Sequence, residues 1–426
     1  MRFEGSLPAP RAPASHTKPS AADVQTIADH QRVSGLLSIE HVLAQRNFRG
    51  IHRSVKILIT CPAPARTRHG NRITALRWAG ILRGLGHRVT IAERFAEHDC
   101  DLLIALHARK SAGSVETFRR VRPELPIVVA LTGTDLYRDL RRCERARRAL
   151  GHARRVVLLQ PLGLRELPRA LRSKARVIYQ SAPGRSDQPR PAREVFEVAV
   201  IGHLRPVKDP MRAALAARRL PARSRIRVVH LGKAMTPALE RRARTENARN
   251  PRYRWLGERP RREALARLAR SRLLVLASRM EGGANVISES AAAGVPVLAS
   301  RIPGSIGLLG ADYPGYFEPG DTAGLARLLR RAERDTSFYA RLARHCRKIA
   351  RLFAPSRERA AWRRLLAELR DSPMISPAQP RRAAKESPTS RRRRRAGAGA
   401  RSRSPRSPSR RAPRDRNGGR RRASPG

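Results

Sequence analysis

The chain has 426 residues, with 91 Lys and Arg against 34 Asp and Glu and a formal net charge of +57. Four scattered cysteines, Cys61, Cys100, Cys143 and Cys346, exclude a short-spaced zinc or disulfide framework, and no run of roughly 18 apolar residues is present to cross a bilayer. Residues 371–426 carry 18 bases against 3 acids and residues 1–53 carry 7 against 4, so the span between is itself basic, which reads as arginine-rich surface before it reads as a nucleic-acid face.

Residues 1–53 open on a Pro/Ala/Ser stretch and are expected to be a disordered extension with one short helix near 33–46. The apolar stretch there, "VSGLLSIEHVLA", is broken by Glu40 and His41 and lacks the form of a secretory signal, so a cytoplasmic location is expected. From residue 54 a rhythm begins. "VKILIT" (55–60) predicts a buried strand, and "NRITALRWAGILRGLG" (71–86) a helix. In that helix Ile73, Leu76, Ala79, Ile81, Leu82 and Leu85 recur at helical spacing, and Gly86 stands where a C-terminal cap belongs. "HRVTIA", "DLLIALHA", "PIVVALTG", "RRVVLLQ" and "ARVIYQS" follow as further strands, separated by helix-length segments.

A Pro/Arg/Asp linker at about 182–194 precedes a second series: "FEVAVIGHL", "RIRVVHLG", "YRWLGE", "RLLVLAS" and "VPVLASR". Helices are predicted at 321–333, 336–350 and 356–370. Residues 371–426, rich in Arg, Ser and Pro and almost without apolar side chains, are expected to be a disordered tail. Strands alternating with helices predict α/β domains with parallel sheets, because parallel strands need crossover connections. The expected boundaries are 54–185 and 195–352, with 353–370 as a closing helix. Ligands of open α/β sheets bind beyond the carboxyl ends of the strands. The loops to inspect are therefore 61–71, 107–112, 132–137, 202–209, 232–236, 257–261 and 279–285.

Those loops hold a distinctive set of residues. "CPAPARTRHGNR" places Arg66, Arg68, Gly70 and Asn71 at a helix start, where free N–H groups and neighbouring arginines favour an anion. The spacing fits neither a Walker loop nor G-x-G-x-x-G. His107, Arg109 and Lys110 follow one strand, and Thr132, Thr134 and Asp135 the next. In the second half "GHLRPVKDP" supplies His203, Arg205 and Lys208, and "MEGGANVISES" supplies Glu281, Gly282, Gly283, Asn285, Val286 and Glu289. Two carboxylates on either side of a Gly-Gly pair suit the hydroxyl pairs of a sugar and a ribose, while Lys208 and a helix start hold a diphosphate; the glycines let the backbone approach the ligand. "DCD" (99–101) imitates a metal-binding D-x-D but precedes its strand, so it is read as a loop, and no metal or other cofactor is expected. Trp78, Trp255 and Trp362 are assigned to the core.

Residues 195–301 resemble the donor half of GT-B glycosyltransferases of family 4, with E-x₇-E at Glu281 to Glu289 followed by "AAGVPV" (292–297). The resemblance implies two Rossmann-like domains facing a cleft, a nucleotide-diphosphate sugar donor and anomeric retention without metal. It implies that Glu289 binds ribose, Glu281 a sugar hydroxyl and Lys208 the diphosphate. His203 departs from the family pattern, which has Arg after that glycine, so leaving-group stabilisation is expected to be shared by Arg205 and Lys208. A narrower resemblance spans 54–370. "PAPARTRHGNRITALRWA", "LHARKSA", "LTGTDLYRD", "VIYQSA" and "SRIPGSIGLLGADYPGYF" are similar to the selenosugar synthases of selenoneine biosynthesis. That implies a selenium–carbon bond made from selenophosphate and UDP-N-acetylglucosamine or UDP-glucose, with phosphate lost afterwards. It also implies coupling to a selenophosphate synthetase and a downstream selenoneine synthase. An ordinary family 4 transferase with a carbohydrate or lipid acceptor is the alternative. A nucleic-acid-binding protein on a degenerate transferase scaffold is the alternative of another class, disfavoured by the intact carboxylate pair and Lys208.

Overall fold

The computed structural model describes residues 54–65, 67, 69–184 and 194–371. Residues 1–53 and 372–426 of the predicted tails, the middle of the linker, Arg66 and Arg68 lie outside the described residues, while Asp371 ends the last helix. Two six-stranded parallel sheets organise the rest. The first contains β1 (Lys56–Thr60), β2 (Arg88–Ala92), β3 (Leu102–Leu106), β4 (Ile127–Leu131), β5 (Arg155–Leu158) and β6 (Ala175–Val177), in the order β2-β1-β3-β4-β5-β6. The second contains β7 (Phe196–Ile201), β8 (Ile226–Leu231), β9 (Tyr253–Trp255), β10 (Leu273–Leu276), β11 (Val297–Ser300) and β12 (Tyr316–Phe317), in the order β12-β11-β10-β7-β8-β9. Helices α1 (Gly70–Arg83), α2 (Ala112–Val121) and α3 (Glu144–His152) belong to the first lobe. In the second lie α4 (Arg212–Arg218), α5 (Pro237–Arg249), α6 (Arg261–Arg270), α7 (Asn285–Ala292) and α8 (Pro303–Leu309). The chain then continues through α9 (Thr322–Arg334), α10 (Thr336–Ala350) and α11 (Pro355–Asp371).

Strands covered on both faces need apolar residues at every position, and β3 (LLIAL), β4 (IVVAL) and β10 (LLVL) are buried throughout. The strands at the edges, β2, β6 and β9, keep exposed or half-buried positions. Each sheet has one place where the winding reverses: between β1 and β3 in the first, between β7 and β10 in the second. Such reversal points leave a crevice at the carboxyl ends of the strands, which is where both lobes place the site described below.

The helix read from "NRITALRWAGILRGLG" forms, but its inward stripe differs from the predicted one. Thr74, Ala75, Trp78, Ala79 and Leu82 are buried, while Leu76 is 53% exposed. Bulky Trp78 sets the rotation, because its ring packs edge-on against Trp362 at 4.8 Å. Gly86 closes the helix as expected, at φ +91°, with its N–H donating to Arg83 O (2.9 Å) and the His87 N–H to Leu82 O (3.2 Å). Strand β12 was not predicted; two residues give no periodicity to read.

Helix α11 follows the second lobe in sequence but packs in the first. Trp362, Leu365 and Leu366 join a core cluster with Ile57, Trp78, Leu82 and Ile104. The two passages of the chain between lobes touch, with Ala182 N donating to Phe353 O at 3.1 Å. Trp78 and Trp362 are fully buried, as expected; Trp255 is half-buried and donates from Nε1 to Gly232 O (2.8 Å). Asp99 and Asp101 of "DCD" pair with the side chain and the backbone N–H of Lys56, at the end of the sheet away from the crevice. No helix among the described residues is long and apolar enough to cross a membrane.

Candidate functional site

The second lobe builds its half of the site on the loops after β7, β8, β9 and β10. Gly202 and Gly232 both take left-handed φ values (156° and 158°), and a Cβ at Gly232 would meet Gly202 O at 1.9 Å. That close approach lets the two loops zip together: Leu204 N donates to Lys233 O (2.9 Å) and Met235 N to Leu204 O (3.1 Å). Beneath them the His230 ring donates from Nε2 to Gly202 O (3.2 Å), and its Nδ1 accepts from the Tyr253 hydroxyl (3.0 Å). Burial pushes this imidazole down to about 4, so it is a neutral strut. The strut fixes where His203, Arg205 and the short turn Pro206–Lys208 begin. His203 Nδ1 accepts from Lys233 N (3.1 Å). Asp209 ends the turn in a left-handed conformation (φ 43°), with its carboxylate accepting from Arg212 Nε at 3.0 Å.

The two glutamates of the E-x₇-E pattern are both nearly buried, at 8% exposure. Glu289 lies one turn into α7, as the spacing predicted. Each carboxylate is met by a cation. Lys208 Nζ donates to Glu281 Oε1, which also accepts from Ser278 Oγ (2.6 Å). Arg261, at the start of α6, donates to Glu289 Oε1 at 2.5 Å. The glycines between them serve a purpose the sequence reading did not foresee. A Cβ on Gly282 would sit 2.4 Å from the Thr132 carbonyl carbon, and one on Gly283 would sit 2.5 Å from Leu159 Cβ. Their bare Cα atoms face the first lobe, so the loop gains a backbone approach between lobes rather than toward a ligand.

In the first lobe His107 follows β3 at φ 74°, a conformation that side chains with Cβ rarely adopt. Its Nδ1 accepts from Lys110 N (3.4 Å) and its Nε2 donates to Thr134 Oγ1 (3.0 Å). Burial first, then nearby Lys110 and Arg109, lowers its pKa against the opposing pull of Asp135 and Asp139. Asp135 is fully buried and accepts from the backbone N–H groups of Ala108 (3.0 Å), Thr132 (2.9 Å) and Gly133 (2.8 Å). It ties the two loops together. Arg109 turns to Asp139, donating at 2.9 Å. At the start of α1, His69 offers no side-chain cap, and its ring lies edge-on to His203 of the other lobe at 5.5 Å. Burial, His203, Arg205 and Lys110 all hold the His69 pKa below its ordinary value.

These parts enclose one cavity of about 450 Å³ between the lobes. From the first lobe Gly70, Asn71, His107, Lys110 and Thr134 line it; from the second come His203, Arg205, Lys208, Glu281, Gly283, Asn285, Val286 and Glu289. Gly282, Arg109 and Asp135 do not, for the reasons just given. The sequence reading missed His69, Gln180, Glu258, Arg259 and Arg261, which also line the cavity. A signal existed for four of them, since His69 falls within the inspected loop 61–71 and Glu258, Arg259 and Arg261 within the loop 257–261. Lys110, Arg205 and Arg259 make no salt bridge within 4.0 Å among the described residues. No three His, Cys, Asp or Glu side chains among the described residues are grouped to hold a metal ion.

Residues 186–352 match the family profile described as Glycosyl transferases group 1. The match spans the second lobe, so that lobe is the part of the chain similar to group 1 glycosyltransferases. No curated protein matches the chain. Among solved structures, HepE from Anabaena in complex with UDP and glucose is 17% identical, with 74% of this chain and 100% of that chain covered at a TM-score of 0.59. Sucrose-phosphate synthase from Thermosynechococcus elongatus is 15% identical over 74% of this chain and 99% of its own, at 0.62. A glycosyltransferase from Rickettsia africae is 12% identical over 76% of this chain and 100% of its own, at 0.56. These likenesses make the fold GT-B.

Proposed function

We propose that the chain transfers the sugar of a UDP-sugar, UDP-N-acetylglucosamine or UDP-glucose, to selenophosphate, and that loss of phosphate then leaves a selenosugar. The group 1 match and the UDP and UDP-glucose complexes of HepE support the donor half of this reading. The selenium half draws on the motifs across 54–370 and on one observation, which carries the proposal. Facing the Lys208 to Glu281 and Arg261 to Glu289 pairs, the cavity wall of the first lobe offers Lys110, whose ammonium makes no salt bridge among the described residues, and the first turn of α1, where His69 makes no side-chain cap. A small phosphate-bearing acceptor suits that wall.

In the reaction, the selenium lone pair attacks the anomeric carbon while the bond from that carbon to the UDP oxygen breaks, and UDP departs with the electron pair. Lys208 and Arg205 stabilise the charge growing on the diphosphate. Glu289 holds the ribose hydroxyls and Glu281 a sugar hydroxyl, so the ligand must draw each carboxylate away from its present cation. Water then cleaves the phosphorus–selenium bond, giving phosphate and the selenol.

The test replaces Lys110 with Gln and varies selenophosphate at saturating donor. The expected result is a selenophosphate KM raised about tenfold or more with UDP affinity unchanged, as loss of a charge-assisted bond implies. Unchanged selenophosphate kinetics would move the acceptor elsewhere. Transfer to sugars or alcohols but never to selenophosphate would leave only the ordinary transferase.

A further inference from the structure

Behind the cavity lies a buried polar network that the reaction does not use. Glu358 of α11 is 2% exposed. Its carboxylate accepts from Trp78 Nε1 (2.8 Å), Arg77 Nε (3.1 Å), Ser181 N (2.8 Å) and the Ser181 hydroxyl. Every one of these donors belongs to the first lobe. Arg77 then reaches out of it: its Nη1 donates to Asn285 Oδ1 at 2.9 Å. Asn285 opens α7, the helix of Glu289. Gln180 reinforces the crossing. With its amide turned to satisfy its neighbours, its nitrogen donates to Asn285 Oδ1 (3.0 Å) and Gly283 O (2.9 Å), while its oxygen accepts from Arg77 Nη2 (3.1 Å).

The geometry points to Arg77 as a positioning residue: a guanidinium anchored by buried Glu358 that latches the Glu281–Glu289 segment of the second lobe onto the first. Planarity makes this possible. One face of the fork meets the carboxylate and the other end meets Asn285, which a lysine ammonium cannot do at once. Burial makes it stiff, because an unpaired Glu358 would be costly and so Arg77 has little freedom to leave. The contact joins the lobes at the loop where Gly282 packs on Thr132, so a slack latch lets both glutamates drift relative to His107 and Lys110. Arg77 touches no reacting group; it acts through Asn285 and the loop.

The kinetic part of the test rests on the transfer reading above. Arg77→Lys and Asn285→Ala are compared singly and together, with kcat, donor KM, UDP affinity by calorimetry, and hydrogen exchange of amides 283–289. Each single variant should lower kcat about tenfold with UDP affinity within about threefold. The double variant should be no worse than the poorer single one, since both remove the same contact. Losses that multiply overturn the latch, as does a lower Tm with kcat unchanged. Where Arg77→Lys does not fold, Gln180→Leu takes its place in the cycle, because it leaves the Glu358 pair intact. A parent that turns over no UDP-sugar sinks the transfer reading alone. Exchange then decides the latch: faster exchange at 283–289 in Asn285→Ala supports it, and unchanged exchange refutes it.

Discussion

At the level of single residues, the carboxylates singled out by spacing lie beside the cavity, but each is engaged by a cation. Glu281 is held by Lys208 and Glu289 by Arg261. The pairing keeps two nearly buried charges compensated until a ligand replaces it. Their divided roles give different kinetics. Glu289→Ala should chiefly raise the donor KM, while Lys208→Ala should chiefly lower kcat, because charge on the departing diphosphate grows in the transition state. Each loss should be worth about 2 to 3 kcal/mol, the scale of a charge-assisted hydrogen bond. Steady-state kinetics with the donor varied decides this, and equal effects confined to KM would contradict it. The E-x₇-E pair was legible because chain spacing and local helix geometry decide it. Arg261 stood in an inspected loop, but its pairing with Glu289 was not legible, because only the sheet order brings the start of α6 beside α7.

Among the elements, buried strands were the easiest to read, since a parallel strand covered on both faces is a plain apolar run. Helix faces were harder: the stripe of α1 follows the Trp78–Trp362 contact, and Trp362 is far away in sequence. Gly86 offers a direct check of the helix end. A Cβ there meets nothing within 4 Å, so only the left-handed φ of +91° opposes it. Gly86→Ala should cost about 1 kcal/mol in chemical denaturation. His230 in β8 offers a second check. Its folded pKa of about 4 lies below the ordinary 6.5. Above 6.5 neither state carries the proton. As pH falls from 6.5 toward 4 the unfolded chain takes it up and the folded chain does not, so stability is lost over that window. The loss amounts to about 3 kcal/mol at its full extent. His230→Gln should be markedly less stable than the parent at pH 7 and close to it near pH 4. A stability gap independent of pH would show that the ring is not held neutral.

For the whole molecule, alternation of strands and helices foretold two parallel sheets and a site beyond their carboxyl ends. It did not foretell that α11 returns to the first lobe, or that Glu358 in that arginine-rich helix anchors the contact between lobes. A helical period carries no address, and a buried carboxylate looks in sequence like any surface one. The strong positive charge was also ambiguous by itself; what matters at the cavity is that some cations pair with the glutamates while Lys110 and Arg205 remain without a salt bridge among the described residues. That arrangement makes the central claim chemical and open to one decisive measurement, mass analysis of the products formed from a UDP-sugar and selenophosphate. The account predicts UDP, phosphate and a sugar bearing selenium at its anomeric carbon, in equal amounts. Absence of any selenium–sugar adduct while UDP is released to water or to another acceptor would contradict it.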